Sequence, residues 1–190
     1  MKKRMINTVL FILLTSMAPI CGQSPVNNVT DIILSGYSAR MFTSEPVSDQ
    51  DIELILKCGI KAPSSRNQQP WKFTVVKDTG LTKKAIGNIN PGNVLIFVSG
   101  PESQEASVVD FDCGLATENM NIAAQSLGLG ARIYGGPVRN VNSTMKQSLE
   151  IPEGYRVVTI LRVGHRDKSV DAVSAASARK QFEEFVNYKK

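Results

Sequence analysis

Ala62-Pro63-Ser64-Ser65-Arg66-Asn67-Gln68-Gln69-Pro70-Trp71 gathers two prolines, two hydroxyls, three side-chain amides and the only tryptophan of the chain into ten residues. A helical pattern runs into this stretch and a strand pattern leaves it. Pro63 and Pro70 fix φ, and each biases the residue before it out of the α region. Between them Ser64, Ser65, Asn67, Gln68 and Gln69 offer donors and acceptors on a stiff loop. A plain connection needs only a turn. This density of polar groups points to a planar ligand whose edge carries both donors and acceptors. Taken singly, each Ser or Asn also has a local reading, as a helix cap or a turn former.

Upstream, Ser48-Asp49-Gln50-Asp51 has the form of a capping box. Ile52, Ile55, Leu56, Gly59 and Ile60 then recur at helical spacing, so an amphipathic helix delivers the chain into the loop. Further back, Val29, Ile32 and Ile33 give a short helix capped by Asn28, with Asp31 in its first turn. Tyr37-Ser38-Ala39-Arg40-Met41-Phe42 follows. If this piece is extended, Ser38 and Arg40 point the same way, and a hydroxyl beside a guanidinium suits an anion. A solvated surface is the other reading.

Downstream, residues 71–77 alternate with Phe73 and Val75 on one side, which is a strand pattern. Residues 79–85 read as a short helix. Val94-Leu95-Ile96-Phe97-Val98 is continuously apolar, as in a strand buried on both faces. A long helix is expected over residues 108–127. Its Ala116, Ala123 and Ala124 would let another helix approach, and Gly128 and Gly130 would end it. Gly128-Leu129-Gly130 is not a dinucleotide fingerprint, because it follows a helix and Ile133 stands where the third glycine belongs. In Tyr134-Gly135-Gly136-Pro137 two glycines expose backbone to a flat ligand, or simply make a turn. A helix over 142–149, a strand over 156–164, a polar loop over 167–177 and an amphipathic tail over 179–188 complete the pattern. Interspersed strands and helices without an internal repeat give a single α/β or α+β layered domain.

The chain has 190 residues, 42% hydrophobic and 21% charged, which is a globular composition with room for a substantial core. Lys2, Lys3 and Arg4 account for three of the five net positive charges. The remainder is close to neutral, which argues against nucleic acid as a partner. Residues 1–22 read as an export signal, with a basic start and an apolar run too short to span a membrane. Lipidation at Cys21 is the alternative to cleavage near Gly22. No transmembrane span is expected in the mature chain, 23–190, which would be periplasmic or membrane-anchored through Cys21. It would be cytoplasmic if residues 1–22 are not a working signal. The three cysteines, Cys21, Cys58 and Cys113, and the single histidine, His165, lack metal-ligand spacing, and a Ser/His/Asp triad is not indicated.

The order of these signals resembles a known family. Ser38-x-Arg40-x-Phe42, a helix, A-P-S-S-x-N-x-Q-P-W, a strand, a buried strand, Asp112-x-Gly114-x-Ala116, a long helix, Gly128-Leu129-Gly130, Tyr134-Gly135-Gly136 and the basic pair Arg179-Lys180 are similar to the FMN-dependent nitroreductases, in a compact form, over residues 28–188. The resemblance implies an α+β fold with a central mixed sheet flanked by helices and a long helix at a dimer interface. It implies a homodimer that binds FMN between subunits. Ser38 and Arg179 would then meet the flavin phosphate, and Arg40 the ribityl or pyrimidine side. Pro63, Ser64 and Ser65 would contact the ring from the partner chain with Asn67 nearby. Gly135 and Gly136 would present backbone near N5.

The implied activity is transfer of two electrons from NAD(P)H or another donor to nitroaromatic, quinone or related conjugated small-molecule acceptors. The flavin would carry the chemistry, with no catalytic side chain and no metal. Two features depart from the family pattern. Gly36 stands where an arginine is usual, which implies weaker FMN binding or compensation by Lys180. The stretch between Ser99 and Val108 is also too short for the lid of larger relatives. Export conflicts with a cytoplasmic donor. Three alternatives therefore stay open: a flavin protein for reductive dehalogenation, flavin storage, or a non-catalytic exported binding domain.

Overall fold

The computed structural model describes residues 29–169 and 178–189; the expected signal segment, Cys21 and the Asn28 cap lie outside them. The continuously apolar run becomes β2 (Val94–Pro101), and every one of its residues is buried. Its side chains divide by the period of two. Val94, Ile96 and Val98 join one core cluster. Leu95 and Phe97 join the other.

Each cluster is closed by a pair of helices. On one face lie α2 (Asp49–Ile60) and α4 (Ala106–Ser126). Ile52 and Ile55 of α2 meet Val109, Cys113, Ala116 and Met120 of α4 in that core. On the other face lie α3 (Thr79–Ile86) and α5 (Val138–Thr144), with Ala85 and Val141 buried among Leu149, Val157 and Ile160. The short α1 (Val29–Ser35) packs beside α4 with none of its residues buried.

Four strands form the sheet, in the order β1 (Lys72–Val76), β2, β4 (Tyr155–Gly164), β3 (Gly130–Tyr134). All three pairings are antiparallel. The α+β class is as expected, but the expectation of a mixed sheet is corrected. The two neighbours of β4 run the same way, yet β4 separates them, so no parallel pair forms among the described residues.

Close approach depends on two glycines. A Cβ on Gly100 of β2 would lie 2.2 Å from Val109 Cγ1 of α4, and one on Gly59 of α2 would lie 2.7 Å from Met120 Cγ. Ala116, Ala123 and Ala124 of α4 are buried in the core cluster that α4 shares with α2 and the sheet. Among the large apolar residues of α4, Phe111 is turned outward, 66% exposed.

Three expectations shift. The Gly130–Tyr134 segment, left unassigned, is the edge strand β3. The helix expected over 142–149 runs instead over Val138–Thr144, directly after Pro137, and residues 145–150 form turns. Asn142 of that helix instead clamps β4, its side chain bonding both the N–H and the C=O of Val157 at 2.8 Å. The amphipathic tail is a single 3-10 turn, Phe182–Glu184, with Phe182, Phe185 and Tyr188 all exposed. No helix among the described residues is long and apolar enough to cross a membrane.

Candidate functional site at the two ends of helix α4

The organising loop sits against the N-terminal half of α4. Ala62 and Trp71 are buried at its two ends, with Trp71 stacked parallel to Phe73 at 6.5 Å. Between them the backbone is unusual. Arg66, Asn67 and Gln69 take φ of 50°, 56° and 48°, the left-handed region that non-glycine residues rarely occupy. Each such residue costs about 1–2 kcal/mol. Local bonds shape the loop: Asn67 N–H donates to Ser64 O, Gln68 N–H to Ser65 O, and Gln69 N–H to the Ser64 hydroxyl at 2.9 Å. The Gln69 side-chain amide donates to Asn67 Oδ1 at 3.1 Å. Ser64 and Asn67, expected as ligand contacts, thus also hold the loop's own geometry. Pro63, Ser64 and Ser65 line a cavity of about 830 Å³ with Val108, Phe111, Asp112 and Leu115.

The second group lies at the other end of α4. Ala39 is buried, and its N–H donates to Ala131 O of β3 at 3.0 Å, so Ser38 and Arg40 on either side are exposed, as the alternation predicted. Farther along, Phe42 forms a β-bridge with Arg166, and Thr43 N–H donates to His165 O. The buried Arg162 of β4 secures this segment. Its guanidinium lies 3.9 Å over the Phe42 ring and donates twice to Asn93 Oδ1, and Asn93 Nδ2 donates to Thr43 O. Burial holds the Arg162 pKa below its ordinary value. Ser38 and Arg179 line one cavity of about 390 Å³ with Gly36, Gln125 and Ile133.

Arg40 is exposed but is not among the residues lining that cavity. Lys180 faces Glu184 at 3.8 Å and does not line it either. Gly36 has a physical reason: a Cβ there would meet Gln125 Oε1 at 2.8 Å and Ile32 O at 2.9 Å. A longer side chain at this position would displace the amide of α4.

Gly135 and Gly136 follow Ile133 and Tyr134 off the end of β3. Neither has a left-handed φ, and a Cβ on either meets nothing within 4 Å. Packing among the described residues therefore does not require glycine at these positions. Open backbone there, with a hydroxyl and a guanidinium in the neighbouring cavity, fits a flat ligand carrying a phosphate.

The Nitroreductase family model matches residues 33–90 and 87–165. The chain belongs to the nitroreductase family. A protein of Archaeoglobus fulgidus assigned as an NADH dehydrogenase/NAD(P)H nitroreductase is 32% identical over 154 residues, spanning 76% of this chain and 88% of its own. An NADPH-flavin oxidoreductase of Vibrio harveyi is 28% identical over 166 residues, spanning 76% of this chain and 68% of its own. Among solved structures, a protein of Desulfovibrio desulfuricans assigned as a nitroreductase, in complex with FMN, superposes with a TM-score of 0.73 at 30% identity, covering 86% of this chain and 98% of that one.

Within this nitroreductase chain the two groups do not meet. Phe111 and Gln125, which line the two cavities, are about 20 Å apart along the helix axis. Sequence reasoning quoted Asp112 within the Asp112-x-Gly114-x-Ala116 signal but gave it no role; it is 1% exposed and accepts from Ser65 N–H at 3.1 Å through each carboxylate oxygen. A signal was present: Asp112 falls on the helical face shared by Val109, Ala116 and Met120, where a carboxylate is out of place. Next to it, burial first and the Asp110 charge second push the Cys113 thiol up to about 12. That thiol stays protonated at neutral pH and is no nucleophile.

Proposed function

We propose that this chain is an FMN-dependent oxidoreductase that uses NAD(P)H as donor and reduces nitroaromatics, quinones or related conjugated acceptors. Family membership supports the flavin and the donor. The observation that carries the site is the open Gly135–Gly136 backbone, where no packing among the described residues requires glycine.

FMN, when bound, would supply two-electron redox chemistry between the reduced nicotinamide and the acceptor. This chain's residues bind and orient. The Ser38 hydroxyl and the Arg179 guanidinium, which line one cavity, would hold the FMN phosphate through charge-assisted hydrogen bonds. Arg40 offers a second cation on the same side of its segment. Gly135 and Gly136 admit the ring to the backbone, while Pro63, Ser64, Ser65 and Asn67 bound it on the other side. No side-chain acid, base or nucleophile is required.

The separation of the two groups along α4 supports a homodimer as the working unit. In a two-fold dimer with the α4 helices antiparallel, each chain brings its 63–69 loop to the Ser38/Arg179 end of the other, making two sites from two incomplete ones. Phe111, Val29, Ile33, Leu34, Phe182, Phe185 and Tyr188 are all exposed in the single chain and supply apolar surface for that contact. We also propose that residues 1–22 direct export. The N-terminus of the protein recovered from a membrane or periplasmic fraction, read by mass spectrometry, checks this.

The test of function is anaerobic titration of the FMN-loaded protein with NADH and NADPH, followed by addition of a nitroaromatic or a quinone. Loss of flavin absorbance with the donor and its return with the acceptor is the expected result. Flavin that binds but is not reduced would favour storage. A protein that takes up no flavin would favour a non-catalytic binding domain.

A further inference from the structure

We propose that Asp112 is a positioning residue whose carboxylate holds the 63–69 loop in its ligand-binding shape. This rests on the FMN reading above. The local hydrogen bonds of the loop shape it but do not fix it to the body of the protein. Among the described residues, its only polar tie to the rest of the chain is Ser65 N–H to the two oxygens of Asp112, 47 residues away. Three non-glycine residues in the left-handed region make the loop a poor free conformer, so it needs an external restraint to persist.

Asp112 is also poorly served as a structural carboxylate. It is 1% exposed, no ion pair among the described residues includes it, and one backbone N–H is shared between its two oxygens. A buried carboxylate so sparsely partnered works against folding. Its neighbours Phe111 and Leu115 line the loop cavity with it and are apolar, and an apolar residue at 112 would suit the core better. The carboxylate therefore serves the loop more than the fold, and the two roles separate experimentally.

The experiment compares the parent with Asp112→Ala and Asp112→Asn in three readouts: FMN titration by fluorescence, melting of the apo-protein, and amide hydrogen exchange over residues 64–69. Asp112→Ala is expected to weaken FMN at least tenfold and to speed exchange in the loop at least tenfold, with the apo melting temperature unchanged or raised. Asp112→Asn keeps one oxygen acceptor for Ser65 N–H and is expected to stay within threefold of the parent in both. The proposal is overturned if Asp112→Ala binds FMN like the parent, or if its affinity and apo stability fall together. Equal losses in the Asn and Ala variants would also overturn it. If the parent itself takes up no FMN, the functional reading fails, and loop exchange alone decides the anchoring claim.

Discussion

The two ends of α4 hold their halves of the site by opposite means. At the N-terminal end, a loop with three left-handed residues is tied to a buried carboxylate and pinned between Ala62 and Trp71. At the C-terminal end, Ser38 is exposed beside Ala39, whose N–H donates to β3. The segment is secured farther on by the Phe42–Arg166 bridge and Thr43 N–H to His165 O, while a Cβ on Gly135 or Gly136 would meet no described residue within 4 Å. The first is tied down by contacts of the chain itself, whereas the second leaves space at its two glycines. Substitutions at the open end should therefore show in binding and leave the apo-protein nearly untouched. Substitutions where α4 meets the sheet should show in stability.

The largest effect is expected from Gly135→Val. Its side chain occupies space that is empty in the chain but needed by the ring, so FMN binding should be abolished while the apo melting temperature stays within about 2 °C of the parent, as for a surface substitution. Gly135→Ala should be milder, shifting rate or potential more than affinity. Retention of parental affinity in Gly135→Val, measured by titration, would remove Gly135 from the site. Arg179→Ala comes next. Loss of a charge-assisted contact should weaken FMN by about 1.5–3 kcal/mol and riboflavin, which has no phosphate, far less. Equal losses for both ligands would mean the arginine acts through folding.

Gly100→Ala sharpens the contrast from the other side. The new Cβ would collide with Val109 Cγ1, and overpacking there should cost about 1–3 kcal/mol of stability by denaturant melting, with the FMN affinity of the folded fraction unchanged. The smallest effect concerns Cys113, whose thiol is raised from 9.0 to about 12 by burial and by Asp110. A raised acid favours the folded state while it is protonated. Its contribution is complete below pH 9.0 and fades as pH rises toward 12. Cys113→Ala should flatten that part of the stability–pH curve, and an unchanged slope would assign the alkaline loss to other groups.

What could be read from the sequence follows from how local each feature is. β2 was legible because five successive apolar residues leave a strand no solvated face. α2 was legible because Ile52 and Ile55 fall at helical spacing and prove buried. The loop could be located by its prolines and Trp71, but its left-handed turns could not, since Arg66, Asn67 and Gln69 carry no glycine signal. β3 was missed because it opens on glycine and alternates the buried Ala131 with Arg132, and its Ile133 points outward into a cavity. The tail's apolar spacing suggested an amphipathic piece, yet Phe182 and Phe185 are exposed among the described residues. The role of Asp112 depends on a partner 47 residues away, which no periodicity reveals.

The most direct test of a site shared between two chains is FMN titration of a mixed dimer. Gly135→Val spoils the open end, and Ser65→Trp fills the loop cavity. Each variant alone should bind no FMN while its apo-protein remains folded. If the chains are co-expressed, half-sites from different chains combine, and random pairing leaves one intact site in each mixed dimer, roughly a quarter of all sites. Recovery of about that fraction of FMN binding, in a species of dimer mass by light scattering, is the result this account predicts. Binding that stays at the level of the two separate variants would contradict it.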